Sequence, residues 1–115
     1  MQLGAVMEAL KLEQATACQD LSKEVTGGYV SDLLSNVMGQ AQPGMLWITM
    51  QGHKNIAAVG SLIGMAAIIV AGGSKIEEEA IKKANENALP ILKTSLTSYE
   101  MAGKLYALGI TNQQK

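Results

Sequence analysis

Two hydrophobic periodicities alternate along this chain. Apolar runs typical of strands cover 24–30, 45–50, 65–71 and 90–94, with a weaker candidate at 12–18. Apolar residues spaced three and four apart, typical of amphipathic helices, cover 2–10, 31–41, 53–62, 74–88 and 97–108. The pattern from Glu24 onward therefore predicts strands and helices in alternation.

This alternation predicts an α/β fold with three layers. A mostly parallel sheet of about four to five strands would carry helices on both faces, and right-handed crossovers would join its parallel strands. The whole chain, 1–115, is expected to form one domain. Within it, 1–23 add a helix and a weak strand as an antiparallel edge, 24–110 form the alternating core, and 111–115 form a frayed tail.

Polar residues mark where helices are expected to begin. Ser31 and Asp32 suit a helix start, with a hydroxyl cap and a carboxylate in the first turn. Both 74–77 (SKIE) and 97–100 (TSYE) match a capping box, in which the first and fourth residues bond to each other's backbone. Gly64 and Gly109 are expected to end two helices.

Glycine, hydroxyl and amide residues cluster where the predicted strands end. The carboxyl ends of parallel strands meet at one edge of a sheet, and open α/β sheets bind ligands there. The sequence therefore predicts one ligand-binding surface. Its candidate residues are Thr26, Gly27, Gly28, Asp32, Thr49, Gln51, His53, Asn55, Gly72 and Gly73.

Several candidates also have a structural explanation. His53, the only histidine, suits a general base, an anion contact or simply a helix start. Asp32 suits a ribose or cation ligand, or a first helical turn. Gly72 and Gly73 suit either an anion site made of N–H groups or a tight turn. With one histidine and one cysteine, a metal site is not expected.

Composition narrows the functional classes. Apolar residues make up 48% and charged residues 17%, which is typical of a folded chain. The net charge is −1 and arginine is absent, so no nucleic-acid interface is expected. The uncharged stretch 55–74 is interrupted by glycines, which favours a helix followed by a strand over a membrane span. The single cysteine and the lack of a signal-peptide pattern favour a cytoplasmic location.

Four ordered blocks resemble the DRTGG domain family. They are 26–38 (TGGYVSDLLSNVM), 46–56 (LWITMQGHKNI), 67–73 (AIIVAGG) and 99–106 (YEMAGKLY). The resemblance covers 1–109. It implies an α/β domain similar to the N-terminal domain of HPr serine kinase/phosphorylase and to regulatory domains of some phosphotransacetylases. The name-giving motif departs from the family, since residues 24–28 are EVTGG and valine stands where the family has arginine.

The resemblance implies a regulatory domain rather than a catalytic one. In the kinase, catalysis belongs to a separate domain with a phosphate-binding loop, and this chain has no Gly-x-x-x-x-Gly-Lys-Ser/Thr sequence. The leading hypothesis is a non-catalytic regulatory or ligand-sensing domain for a nucleotide or small phosphorylated metabolite, acting as a homodimer or with a partner. The alternatives are a protein-interaction module, or an HPr-kinase-related enzyme in which His53 serves a nearby threonine. No particular cofactor follows from the sequence.

Overall fold

The computed structural model describes residues 1–112, in which strands and helices alternate from Gly27 onward. The helices are α1 (Leu3–Leu10), α2 (Leu34–Gln40), α3 (Asn55–Ile63), α4 (Glu78–Glu86) and α5 (Ser98–Ala107). The strands are β1 (Glu13–Gln14), β2 (Gly27–Val30), β3 (Met45–Thr49), β4 (Ala67–Val70) and β5 (Ile91–Lys93). Every element that the pattern predicts is present, although the strands are shorter than their apolar runs.

The strands form a single sheet in the order β1-β5-β4-β3-β2. Strands β2 to β5 run parallel, and β1 pairs antiparallel with β5. The central strands β3 and β4 are buried along their whole length, as expected for strands covered on both faces. The predicted α/β fold, with a mostly parallel sheet and an antiparallel N-terminal edge, is therefore confirmed.

Helices cover both faces of the sheet. On one face α1 and α5 pack on the strands through a core that includes Leu3, Val6, Leu46, Ile48, Ile69, Met101 and Leu105. On the other face α2, α3 and α4 form a second core that includes Val37, Trp47, Ile56, Ala57, Ile68, Ala80 and Ala84. Successive side chains of a strand point to opposite faces, so the neighbours Trp47 and Ile48 belong to different cores. The three predicted layers are confirmed.

The uncharged stretch 55–74 is divided between α3 and β4. Helix α3 has nine residues and ends at Gly64, which has a φ of 84° as its expected role as a stop requires. No helix within residues 1–112 is long and apolar enough to cross a membrane.

The predicted start of α2 is wrong by several residues. Leu33 is the N-cap, the helix begins at Leu34, and no side chain caps it. Ser31 Oγ instead accepts from Leu33 N at 3.1 Å in a tight turn before the helix. Asp32 therefore lies outside the first helical turn. The predicted apolar face of α2 is only partly buried, since Leu33 is 64% and Met38 is 51% exposed.

Of the two predicted capping boxes, one is confirmed and one is wrong. Thr97 Oγ1 accepts from Glu100 N at 3.1 Å, and Glu100 Oε1 accepts from Thr97 N at 3.2 Å, which starts α5 as predicted. Helix α4 has no such box, because its N-cap is Glu77 and no side chain bonds to the cap position. The Glu77 carboxylate is engaged elsewhere, and Ser74 lies in the preceding loop.

Candidate functional site

Asp32 links the turns that follow β2 and β3. Its Oδ1 accepts hydrogen bonds from Thr49 Oγ1 and from Met50 N, each at 2.7 Å. Gln51 closes the network, since its Nε2 donates to Asp32 O and its backbone N donates to Thr49 Oγ1 at 3.2 Å. Asp32, Thr49 and Gln51 therefore meet at the carboxyl edge, as predicted, but they bond chiefly to one another. This network stiffens the edge.

The turn after β3 packs directly against the loop after β4. Gly52 is required there, because a Cβ atom at this position would overlap the carbonyl oxygen of Lys75. Glu77 N donates to Gly52 O at 2.8 Å, and Glu77 Oε1 accepts from Lys54 N at 3.1 Å. His53, Lys54 and Lys75 are exposed on these two contacting segments. The contact thus brings together two segments that carry exposed basic residues.

Gly72 and Gly73 form the tight turn that follows β4. Both have left-handed backbone, with φ of 72° and 67°. Their N–H groups donate to Leu96 O at 2.7 Å and to Thr94 O at 3.0 Å, in the turn after β5. Because these N–H groups are already bonded, the two glycines join neighbouring loops and do not offer an anion site. The structural explanation for this pair is the one that the geometry supports.

The predicted placement of Thr26, Gly27 and Gly28 at the carboxyl edge is wrong. Gly27 pairs with Met45, the first residue of β3, so the three residues lie at the opposite, amino edge. A four-residue strand separates the two edges by about 13 Å. The prediction failed because the strand begins at Gly27 and not at Glu24, which moves the glycine pair from its end to its start.

The close approach of the Asn112 side chain accounts for the glycines at positions 27 and 28 without a ligand. Gly28 N donates to Asn112 Oδ1 at 2.9 Å, and a Cβ atom on Gly27 would overlap that oxygen. The expected frayed tail is thus bonded to β2 at Asn112, while 113–115 lie outside the described residues. No local signal could predict this contact, because 84 positions separate its partners.

Two cavities lie away from the predicted surface. One, of about 450 Å³, lies between β2 and α5, and its lining includes Val30, Ile48, Ala102, Tyr106, Ile110 and Asn112. The other, of about 360 Å³, lies at the amino edge, and its lining includes Lys23, Gly44, Ser61 and Asn87. Gly28 is the one predicted residue that lines either of them. Sequence reasoning missed the first cavity because it treated Tyr106 and Val30 as ordinary element residues.

A nucleophile–base pair does not form among the described residues of this edge. Thr49 is 1% exposed and its hydroxyl donates to Asp32, while the Thr97 hydroxyl belongs to the capping box of α5. The His53 side chain is exposed and has no hydrogen-bond partner within 1–112. Catalysis by a histidine-activated hydroxyl needs the two groups within hydrogen-bond reach.

A carboxylate with a lowered pKa, that of Asp20, lies outside this edge. A hydrogen bond from the Ser22 hydroxyl, with a second from its backbone N–H, lowers the pKa of exposed Asp20 below its ordinary value of 3.8. This is a local turn between β1 and β2. No three His, Cys, Asp or Glu side chains within 1–112 are grouped so that they could hold a metal ion.

Comparison with known proteins identifies the family. The model of the DRTGG domain matches residues 5–108. The chain is a member of the DRTGG domain family. A similar solved structure contains the CBS and DRTGG domains of the regulatory region of Clostridium perfringens pyrophosphatase, complexed with its activator, diadenosine tetraphosphate. The two share 18% sequence identity with a TM-score of 0.73, over 96% of this chain and 47% of that one. The chain thus spans about half of that relative, and a search of curated proteins found no match.

The DRTGG motif has a structural role in this chain. Thr26 N donates to Gly44 O at 2.9 Å and Thr26 Oγ1 donates to Pro43 O at 3.0 Å, which ties the start of β2 to the start of β3. Val25, at the position of the family's arginine, is 8% exposed and belongs to the core under α1 and α5. Val25 is apolar and buried, so this position offers no cationic side chain where the family has arginine.

Proposed function

We propose that this DRTGG domain is a non-catalytic regulatory module that binds a nucleotide or a small phosphorylated metabolite. The proposal rests above all on the two contacting loops of the carboxyl edge, which carry His53, Lys54 and Lys75. The hydrogen-bonded network of Asp32, Thr49 and Gln51 supports these loops, because Gln51 directly precedes Gly52 and His53 in the turn after β3. A rigid edge with basic side chains suits recognition of a charged ligand.

The charges at this edge favour a phosphoryl group. The ion pair that the structure contains within 1–112 is between the N-terminal ammonium and Glu24, so Lys54 and Lys75 are unpaired there. Lysine ammonium groups bind phosphate as point charges, and the exposed amide of Asn55 adds hydrogen-bonding capacity. The Glu77 carboxylate, bonded to Lys54 N, opposes this attraction. We therefore expect affinity to be modest and sensitive to the charge of Glu77.

The comparison supports a nucleotide as the ligand class. The regulatory region of the Clostridium perfringens pyrophosphatase is complexed with a dinucleoside polyphosphate activator. At 18% identity the likeness carries the fold alone, so the ligand of this chain is our inference. The resemblance to the N-terminal domain of HPr serine kinase/phosphorylase agrees with a regulatory role, because catalysis in that kinase belongs to another domain.

We also propose that the domain acts in the cytoplasm as a homodimer. The small, apolar chain and the prevalence of symmetric homo-oligomers support this assembly. A protein-interaction module is the second candidate function, and the observation that favours it is the exposed apolar surface beside β2 and α5, where Val30 is 49% and Tyr106 is 69% exposed.

A thermal-shift screen tests the ligand proposal. The probes are ATP, ADP, AMP, diadenosine tetraphosphate and glucose 6-phosphate, followed by calorimetric titration of any that raise Tm. A ligand at about a hundred times its Kd should stabilise the domain by about 2.7 kcal/mol. The double variant Lys54→Ala/Lys75→Ala should bind at least about tenfold more weakly, which corresponds to about 1.4 kcal/mol.

Matched variants make this experiment specific. Lys82→Ala/Lys83→Ala removes the same charge from exposed positions of α4 and should bind like the wild type. Glu77→Gln keeps an oxygen acceptor for Lys54 N but removes the opposing charge, so it should bind more tightly. Equal losses in the two double variants would locate binding elsewhere, and no Tm change with any probe at millimolar concentration would overturn the proposal.

A further inference from the structure

The carboxylate of Asp32 is bound through only one of its two oxygens. Thr49 Oγ1 and Met50 N both donate to Oδ1, each at 2.7 Å. These two bonds use the acceptor capacity of that oxygen, whereas Oδ2 accepts none of the hydrogen bonds made within residues 1–112. Asp32 is exposed. An acceptor oxygen therefore remains available at the carboxyl edge.

The network around Asp32 fixes the direction of this free oxygen. Two bonds to Oδ1 hold the plane of the carboxylate, and Gln51 Nε2 donates to the backbone oxygen of Asp32. Thr49, which holds Oδ1, is buried. A polar group that is ordered before binding loses little conformational entropy when a ligand bonds to it, which raises affinity. Oδ2 is thus a preorganised acceptor and not part of a freely rotating surface carboxylate.

The ligand group that meets this oxygen must be a donor or a cation, because an ionised carboxylate only accepts hydrogen bonds. A phosphoryl group is excluded, since like charges repel. A metal ion needs several oxygen ligands, and no three His, Cys, Asp or Glu side chains within 1–112 are grouped to supply them. A sugar hydroxyl fits, because hydroxyl groups form short, strong hydrogen bonds to carboxylates. Acidic residues at the carboxyl edge of nucleotide-binding parallel sheets accept from ribose in this way.

The free oxygen of Asp32 lies within reach of the two basic loops. Met50 N bonds to Asp32, and Gly52, two residues later, contacts the Lys75 carbonyl. Two residues of chain span at most about 7 Å. A ligand of nucleotide size can therefore bond to Oδ2 through its sugar and to the Lys54 and Lys75 ammonium groups through its phosphates.

An exposed apolar side chain lies beside Asp32. Met50 is 51% exposed, although its backbone N–H is bonded to the Asp32 carboxylate. A Cβ atom added to Gly72 would lie 3.6 Å from Met50 Cε, so the end of the Met50 side chain lies next to open glycine backbone. Thioethers make favourable contacts with aromatic rings. This surface favours a ligand that carries a base over a simple sugar phosphate.

We propose that Asp32 Oδ2 accepts hydrogen bonds from the ribose hydroxyl groups of a nucleotide bound at the carboxyl edge. This assignment rests on the proposed function, since Lys54 and Lys75 bind the phosphates of the same ligand. It gives Asp32 a second role besides linking the turns after β2 and β3. Asp32 then distinguishes ligands by the hydroxyl groups of their sugar.

Calorimetric titration of the wild type and of Asp32→Asn with ADP and with 2′,3′-dideoxy-ADP tests the proposal. Asparagine keeps the carbonyl oxygen that accepts from Thr49 and Met50, and it replaces Oδ2 with an NH2 donor. The wild type should bind ADP at least about tenfold more tightly than the dideoxy ligand, which cannot bond to the charged acceptor. In Asp32→Asn the two Kd values should become nearly equal.

The ratio of the two affinities is the readout, because Asp32→Asn also removes a negative charge and should strengthen the binding of any phosphate. Asp20→Asn is the matched control. It removes the same charge from an exposed residue of the turn between β1 and β2 and should keep the wild-type ratio. Trp47 emission and the urea transition check that each variant is folded.

The outcomes separate the role of Asp32 from the function on which it rests. Suppose that the wild type binds both ligands equally and that Lys54→Ala/Lys75→Ala weakens both. Phosphoryl recognition then stands, and the ribose contact is overturned. A folded Asp32→Asn variant that keeps the wild-type preference would also overturn it. Ribose 5-phosphate that binds as tightly as ADP would replace the nucleotide with a sugar phosphate, and no binding of any probe would overturn both proposals.

Discussion

Single residues of this domain are constrained mainly by contacts between loops. Gly52 is the sharpest case, because a Cβ atom there would overlap the Lys75 carbonyl oxygen and lie 2.8 Å from Ile76 Cα. Backbone atoms cannot rotate away as a side chain can. Gly27 is a milder case, since its nearest obstacle is the end of the Asn112 side chain. Similar-looking glycines therefore differ in what a substitution costs.

Gly52→Ala is expected to lower the free energy of unfolding by about 3 kcal/mol, through overpacking against backbone. Gly39→Ala is the control, because Gly39 lies in α2 with no atom within 4 Å of an added Cβ. There alanine should raise stability by about 0.5 kcal/mol, from its higher helix propensity. Urea unfolding measures both, and equal effects would contradict the assignment of Gly52 as a close contact.

Sequence reasoning named Asp32 and Thr49 as candidate site residues, but it did not predict that they bond to each other. Local rules suggested that Asp32 belongs to the first turn of α2, whereas its carboxylate bonds to Thr49 and Met50 after the neighbouring strand. A capping rule considers positions three residues apart. The groups that bond to Asp32 are brought close to it by the pairing of β2 with β3. A local sequence pattern does not contain this pairing.

At the scale of elements, two helices with the same start pattern begin differently. Thr97 and Glu100 form their capping box, whereas Ser74 and Glu77 do not, because α4 begins after Glu77 and the Glu77 carboxylate accepts from Lys54 N. A pattern of this kind predicts a helix start only where no tertiary partner competes. The same competition explains why the helices were predicted correctly and their boundaries less so.

The two helix starts predict different responses to the same truncation. Thr97→Ala should destabilise the domain by about 1 kcal/mol, because Glu100 N loses its acceptor. Ser74→Ala should change stability by less than about 0.5 kcal/mol, as expected for a substitution away from a cap. Chemical denaturation of both variants is the measurement. A loss for Ser74→Ala as large as that for Thr97→Ala would show that Ser74 has a capping role.

At the scale of the whole molecule, the alternating pattern was sufficient to predict the fold. The continuous apolar run 65–71 predicted a strand covered on both faces, which is β4, whereas the order of the strands was not predicted. The candidate site was less predictable. Its position depends on where β2 begins, and the bond between Gly28 and Asn112 joins distant parts of the chain. Periodicity predicts layers, but it does not predict which loops touch.

The two cores share one sheet, so the domain should unfold in a single step. Trp47 is the only tryptophan, is fully buried in the core of α2 to α4, and donates from Nε1 to Ser31 O at 2.9 Å. Its emission reports one core, while far-UV circular dichroism reports all the helices. The two urea transitions should coincide, as for other small two-state domains. A Trp47 transition that precedes the helical one would show that the cores unfold separately.

The pairing of β1 with β5 has a consequence for the newly made chain. Glu13 of β1 lies opposite Lys93 of β5, so β5 is synthesised long after its partner. Strand β5 also pairs with β4 on its other side. Until β5 is synthesised, the edge of β4 has no neighbouring strand, and a chaperone or another nascent chain can bind it. A chain stopped before Ile91 would keep that edge open permanently. Premature termination in this region should therefore yield insoluble fragments.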